Sequence, residues 1–254
     1  MAIRVAVDAM GGDRAPSVVI EGAVRAVQSA AEPIEILLFG PEDALRQAAE
    51  TAGVTLDPSF IQVVNAPDVI GMGESPTAAV KGKPRSSIHL GLGAVKAGKA
   101  DAFVSAGNTG AVMAASLFIL GRLPGVARPS VIGYYPTVQS FCILLDAGTN
   151  VDCKPEHLLQ FAQMGTIYAR NMLKRDNPVV ALMNIGEEPG KGNEQVKAAF
   201  DLLAGSPDVN FRGNIEGRDV LEHAADVIIC DGFVGNIMLK LGESVATALV
   251  RMIH

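Results

Sequence analysis

Apolar runs of strand length recur along the chain, at Ile3–Val7, Ile34–Phe39, Phe60–Val64, Ala102–Val104, Val131–Tyr135, Phe141–Leu145, Val179–Met183, Val209–Phe211 and Val227–Cys230. Most are too continuous for strands with one wet face, so they predict strands covered on both sides. Between them, apolar residues at helical spacing predict helices over Ser17–Ser29, Glu42–Ala52, Ser86–Ala97, Thr109–Leu120, Glu156–Leu173, Asn193–Leu203 and Val234–Ile253. Strands alternating with helices in this way imply an α/β fold with a parallel, doubly wound sheet.

Two segments break the alternation. Pro129–Asp146 reads strand, Pro136-Thr137 turn, strand, and predicts an antiparallel hairpin. Asn65–Lys83 is rich in Gly, Pro and Met and reads as a long functional loop or mobile flap. The last helix carries Ile237, Leu241, Val245 and Leu249 as one apolar stripe, which needs a partner: a dimer interface or further sequence. With no repeat or clear linker, residues 1–254 read as one α/β catalytic domain.

With 49% hydrophobic and 19% charged residues, the 254-residue chain has ample material for a core. No apolar run reaches the roughly 18 uninterrupted residues of a spanning helix. The start lacks the layout of a signal peptide, so a cytoplasmic protein is expected. Cys142, Cys153 and Cys230 are far apart, with no metal-ligand spacing, and read as reduced structural thiols; no metal or cofactor is expected. The net charge of −6 argues against wholesale nucleic-acid binding, though Lys81, Lys83, Arg85, Lys96 and Lys99 form a local basic patch.

Candidate chemistry lies in five Gly- and Asn-rich loops, each directly after an apolar run: Asp8–Asp13, Ser105–Ala111, Asp146–Asn150, Asn184–Glu194 and Asp231–Lys240. Open α/β sheets bind ligands outside the carboxyl ends of their strands, which groups the five as one anion-handling site. Gly11 and Gly12 let backbone approach an anion or another loop, with Asp8 and Asp13 fixing the turn; a purely structural turn is the alternative. The dinucleotide fingerprint is absent. Ser105 resembles part of a hydrolase elbow, but Phe103 stands where its first glycine belongs. Asn108, Thr109 and Gly110 open a helix, as an ordinary cap or as a phosphate cradle. Lys191, between two glycines, is placed to aim an ammonium at developing negative charge, and Asn236 supplies a neutral amide donor. Asn193 caps the following helix. Glu187 and Glu188 read as a base pair or a solvated turn, and His89, His157, His223 and His254 as structural or solvent-exposed.

The motifs AVDAMGGD, KGKPRSSI, SAGNTGA, LLDAGTN, NIGEEPGKGNE, GNIEGRD and DGFVGNIMLK, in this order, resemble the bacterial acyl-acyl carrier protein:phosphate acyltransferases. The resemblance implies transfer of a fatty acyl group from a carrier-protein thioester to inorganic phosphate for phospholipid synthesis. It also implies a three-layer α/β/α, mainly parallel fold like that of isopropylmalate and isocitrate dehydrogenases and phosphate acetyltransferase, a homodimer and peripheral membrane contact. Lys191 and Asn236 match the family's active-site lysine and asparagine. Lys81, Ser86 and Ser87 of KGKPRSSI join Asp8, Gly11, Gly12, Asn108, Thr109, Gly110 and Asn193 as expected phosphate or substrate contacts. Lys83, Arg85, Lys96 and Lys99 are the expected docking face for the acidic carrier. The Val69–Met72 region and the final helix are candidates for the acyl groove. Family members run beyond residue 254, so a C-terminal segment is expected to be lacking here. The nearest rival is a phosphate acetyl- or butyryltransferase using coenzyme A.

Overall fold

The computed structural model describes residues 2–253. Contacts divide the chain into two compact units, Met1–Gly121 and Arg122–His254, each with its own sheet.

In the first unit, β1 (Ile3–Asp8), β2 (Ile34–Gly40), β3 (Ile61–Asn65) and β4 (Ala102–Val104) form a parallel sheet in the order β3-β2-β1-β4. Helices α1 (Ser17–Ser29) and α2 (Glu42–Ala52) bring Ile20, Ala23, Leu45 and Ala49 onto Val7, Ile36, Leu38 and Ile61 on one face. On the other face, Ala94 and Leu90 of α4 (Ser87–Lys96) meet Ala6, Leu37, Phe39 and Val64. The alternation of β2 side chains between these two cores explains why Ile34–Phe39 is apolar throughout. Helices α3 (Pro76–Gly82) and α5 (Thr109–Ile119) add an outer layer, sharing Ala79, Val80, Ile88, Leu92, Ala111 and Ala115 with α4. The chain steps outward from β1 to β3, then returns beside β1 as β4. The winding therefore reverses between β1 and β4, where such sheets open a ligand crevice.

The second unit contains β5 (Gly133–Pro136), β6 (Phe141–Leu145), α6 (Pro155–Met172), β7 (Val179–Met183), α7 (Glu194–Ala204), β8 (Asn210–Ile215), α8 (Gly217–Leu221), β9 (Val227–Ile229) and α9 (Gly232–Ile253). Its strand order is β5-β6-β9-β7-β8. The predicted hairpin is present as antiparallel β5 and β6; the other pairings are parallel. Phe161 and Ala162 of α6 and Ala199 and Leu203 of α7 cover one face through Ile143, Leu145, Val180 and Ile229. Val220 of α8 and Val234 and Met238 of α9 cover the other through Leu144, Ala181 and Ile228. Strand β9 thus lies between two strands whose following helices leave on the opposite face.

Three elements differ from the sequence pattern. The Asn65–Lys83 segment contains α3, whose Pro76 occupies a first-turn position that proline tolerates because that N–H has no intrahelical acceptor. Helix α8 is too short to show a period. Strand β8 continues past Phe211 to Ile215 through Gly213 at φ +113°, beyond a register shift opposite Val180 and Ala181. The predicted stripe on α9 is present, and among the described residues Ile237, Leu241, Val245 and Leu249 are all exposed. By length and composition alone α9 is long and apolar enough to cross a membrane, and 6% of its most apolar window is buried.

Candidate active site

In the first unit the structure brings the Asp8 and Ser105 loops together at the reversal between β1 and β4. Asp8 is buried; its Oδ1 accepts the Met10 N–H at 3.1 Å and its Oδ2 accepts the Ser105 hydroxyl at 2.7 Å. Ser105 Oγ in turn accepts the Gly107 N–H at 3.0 Å. A Cβ on Gly11 would fall 2.6 Å from the Gly107 nitrogen, so the two backbones touch because neither residue has a side chain. Asp8 is therefore spent on turn geometry, and what these loops offer an anion is backbone, together with the first N–H groups of α5 at Thr109 and Gly110, which lack intrahelical acceptors.

Asn108 has a different role from the one its motif suggests. Its Oδ1 caps α5 by accepting the Ala111 N–H at 3.0 Å, while its Nδ2 donates to the Met72 and Glu74 carbonyls, each at 3.0 Å. The side chain is 8% exposed and has no capacity left for phosphate. Instead it holds the Gly71–Glu74 turn, with help from Lys83, whose ammonium reaches both Glu74 and the Val69 carbonyl at 2.6 Å. That ammonium holds the Glu74 carboxyl below its usual range. The segment expected as a long functional loop or mobile flap is thus pinned at the carbonyls of Val69, Gly71, Met72 and Glu74 and buries Ile70 in the helical layer. Asn108→Ala is expected to cost about 2 kcal/mol, the cap plus orphaned carbonyls. Chemical denaturation measures this, with faster proteolysis at 71–75 as the local sign.

The remaining candidates of this unit separate. Ser86 caps α4, accepting the His89 N–H at 3.3 Å, and both Ser86 and Ser87 are buried. Gly110 admits the Pro76 ring, 2.6 Å from where a Cβ would stand, so its smallness serves helix packing. Lys81 lies 5.9 Å over the Phe118 ring, toward the end of α5 away from the loops. Lys96 ends α4 and Lys99 lies just past it, about 15 Å along the helix from Ser86 and so at the amino edge of the sheet. Of the expected docking cations, Lys83 is consumed internally, while Arg85, 71% exposed, is loosely paired with Asp68 at 3.9 Å beside the start of α4. The sequence pattern passed over Arg14, an exposed cation directly after the Asp8–Asp13 loop; its position after the glycine pair was the available signal.

In the second unit three candidate loops leave adjacent parallel strands β6, β9 and β7 at their carboxyl ends. Asp146, fully buried, organises the first: Oδ1 accepts the Gly148 and Thr149 N–H groups at 3.1 and 3.0 Å, and Oδ2 accepts both the backbone and side-chain N–H of Asn150. Helix α9 starts hard against this turn. Asp231 caps it by accepting the Val234 N–H at 2.9 Å, and the Gly232 N–H donates to the Asn150 carbonyl at 2.8 Å. Asn236, one turn on, lays its amide against Gly148, where a Cβ would come within 2.6 Å of Nδ2. Gly148 also sits at φ +128°, which a side chain resists. Among the described residues the Asn236 amide has no hydrogen-bond partner, which leaves its donor available.

The third loop presents Lys191, exposed and without an ion pair among the described residues. Its stem passes over Gly186, where a Cβ would lie 3.0 Å from Cγ. Asn193 caps α7 through the Val196 N–H at 2.9 Å, as expected, and so is not a free ligand group. Glu187 is exposed, 3.9 Å from Arg218. Arg128, absent from the sequence candidates, reaches Asn150 Oδ1 at 3.5 Å and adds a cation to the Asp146 turn.

The thiols have no nucleophile's setting. Burial pushes Cys142 and Cys153 up to about 11 and raises Cys230 as well, so all three stay protonated near neutrality. His157 Nδ1 accepts the Lys154 N–H at 3.1 Å, and burial, then Arg128, lowers its affinity for a proton. His223 is held between Thr137, Arg175 and Asp226 at the far edge of the sheet, and His254 lies outside the described residues.

Comparison with solved structures defines the fold class. A phosphotransacetylase from Streptococcus pyogenes matches with a TM-score of 0.71 at 18% identity, covering 97% of this chain and 82% of that one. The EutD phosphotransacetylase of Staphylococcus aureus matches at 0.67 and 18%, over 97% and 83%. The fold is that of the phosphotransacylases. The family comes from sequence: the model described as fatty acid synthesis protein matches residues 3–254. The phosphate acyltransferase of Salinibacter ruber is 59% identical over 251 residues, 99% of this chain and 74% of that protein. That of Chlorobaculum parvum is 50% identical over 96% and 72%. The chain belongs to the fatty acid synthesis protein family, and it is a transferase.

Proposed function

We propose that the enzyme transfers a fatty acyl group from the thioester of an acyl carrier protein to inorganic phosphate. One observation carries the reading: Lys191, on the loop leaving β7, and Asn236, one turn into the helix that follows the neighbouring strand β9, are an ammonium and an amide without partners among the described residues. A phosphate oxygen attacks the thioester carbonyl, the carbonyl oxygen takes the negative charge, and collapse expels the carrier thiolate, which takes up a proton. The products are acyl phosphate and free carrier. Lys191 and Asn236 stabilise the oxyanion. Within the first unit, the backbone N–H groups at Gly11, Gly12 and Thr109 are the candidates for holding an anion. Raised thiol pKa values at all three cysteines favour direct attack over an acyl-enzyme.

The deciding experiment follows phosphate-dependent release of carrier thiol, with acyl-coenzyme A as competing donor. Release from carrier and not from coenzyme A is the expected result; release from coenzyme A alone would transfer the assignment to the coenzyme-dependent class. Arg85 is the docking cation this reading favours. Arg85→Glu should raise the KM for the acidic carrier about five-fold at low salt, with the difference shrinking as salt screens it. An unchanged KM at low salt removes Arg85 from the docking face. The apolar stripe of α9 is assigned to a second copy of the chain, with the protein cytoplasmic and peripherally bound to membrane.

A further inference from the structure

We propose that Asn184 and Asn214 are positioning residues that hold the backbone of Lys191 for the reaction; the proposal rests on the role given to Lys191 above. The loop after β7 has little else to fix it. Its one large apolar residue, Ile185, is 81% exposed, and Glu187 through Lys191 are all exposed. Two amides from the carboxyl ends of β7 and β8 do the holding. Asn184 Nδ2 donates to the Lys191 carbonyl at 3.0 Å. The Lys191 N–H donates to the Glu188 carbonyl at 3.1 Å, and that carbonyl also accepts Asn214 Nδ2 at 2.9 Å. Lys191 is therefore tied on both sides, directly by Asn184 and through Glu188 by Asn214.

Both asparagines stand on rigid ground. The Asn184 N–H donates to the Ile215 carbonyl at 2.8 Å, and Asn214 is paired with Leu182 in the β7–β8 ladder. Gly192 closes the clamp at φ +91°, where a Cβ would fall 2.6 Å from Asn184 Oδ1. Asn214 is 6% exposed, and its Oδ1 has no partner among the described residues. A buried amide with half its capacity unused is explained by the one bond that it does donate.

The test compares Asn184→Asp and Asn214→Asp, which keep shape but exchange the amide donor for a carboxylate charge, and the uncharged Asn184→Leu and Asn214→Leu, in the wild-type and Lys191→Ala backgrounds. In the wild type each should lower kcat about ten-fold, while in Lys191→Ala each should cost less than about two-fold more, since residues acting as a unit are not additive. Hydrogen exchange at the Lys191 amide reads the clamp without chemistry and should accelerate about ten-fold in Asn214→Asp. Unchanged exchange in that variant, or equal losses of kcat in both backgrounds, overturns the proposal. If Lys191→Ala is itself as active as wild type, the catalytic role of Lys191 and this proposal fall together. The exchange arm then still reports whether the asparagines hold the loop, so the two failures are told apart.

Discussion

Alanine in place of Lys191 is expected to slow phosphate-dependent release of carrier thiol by about 10² to 10³, the usual cost of losing one donor to a developing oxyanion. Lys191 is exposed and touches the fold only through its backbone and its stem over Gly186. Its removal should therefore leave stability within about 0.5 kcal/mol of wild type, as for surface positions generally. The loss should appear in kcat more than in KM, because the ammonium is needed most where charge develops. Arginine should restore only part of the rate, since its planar fork does not replace a compact point charge on a flexible stem. Initial rates at saturating phosphate, taken beside thermal unfolding, decide it. An alanine variant within about three-fold of wild type, under 1 kcal/mol of barrier, would remove Lys191 from the chemistry.

Gly235→Ala should be the most damaging single-methyl substitution in the second unit. A Cβ at Gly235 would stand 1.9 Å from the Asp146 carbonyl oxygen and 3.1 Å from Cys230 Sγ. The first of these is backbone of a turn whose carboxylate already holds Gly148, Thr149 and Asn150, so the turn cannot yield alone. Either α9 lifts or the turn breaks, at an expected cost of about 3 kcal/mol and a fall in Tm on the order of 10 °C. Activity should fall as well, because Asn236 is the next residue and rests on Gly148. Gly22, in the interior of α1 with open space where a methyl group would stand, is the contrast: alanine there should stabilise by up to about 1 kcal/mol. Equal Tm values for the two variants would show that the close approach at Gly235 is not a constraint.

Much of the fold was legible in order and type of element. Ala102–Val104, Phe141–Leu145 and Val179–Met183 are strands over the residues their apolar runs mark, and Ser17–Ser29 and Glu42–Ala52 are helices as spaced. Strands covered on both faces leave a continuous signal, and amphipathic helices a periodic one. The elements that escaped are α3, α8 and the end of β8, where five to seven residues or an internal glycine leave too little periodicity.

The candidate site was legible as a set of loops and only partly as roles. Asn193 and Asn108 both read as caps and both are, yet Asn108 also clamps a turn more than thirty residues earlier, which no local pattern encodes. Lys83 and Lys99 looked alike as basic residues in one patch. One is an internal strut and the other lies at the far edge of the sheet, because α4 runs back across it.

By itself, the sequence determined which segments become strands and helices, where the glycine turns fall, that Lys191 occupies a turn with no core to explain it, and that Asn236 follows a glycine pair at the start of the last helix. These are local matters, set by burial period and by backbone freedom within a few residues. Only the tertiary structure decided which polar groups remain available. A hydrogen bond uses up a donor or acceptor whatever its distance along the chain, so Asp8, Asn108, Asp146 and Lys83 are committed while Lys191 and Asn236 are left with theirs to give.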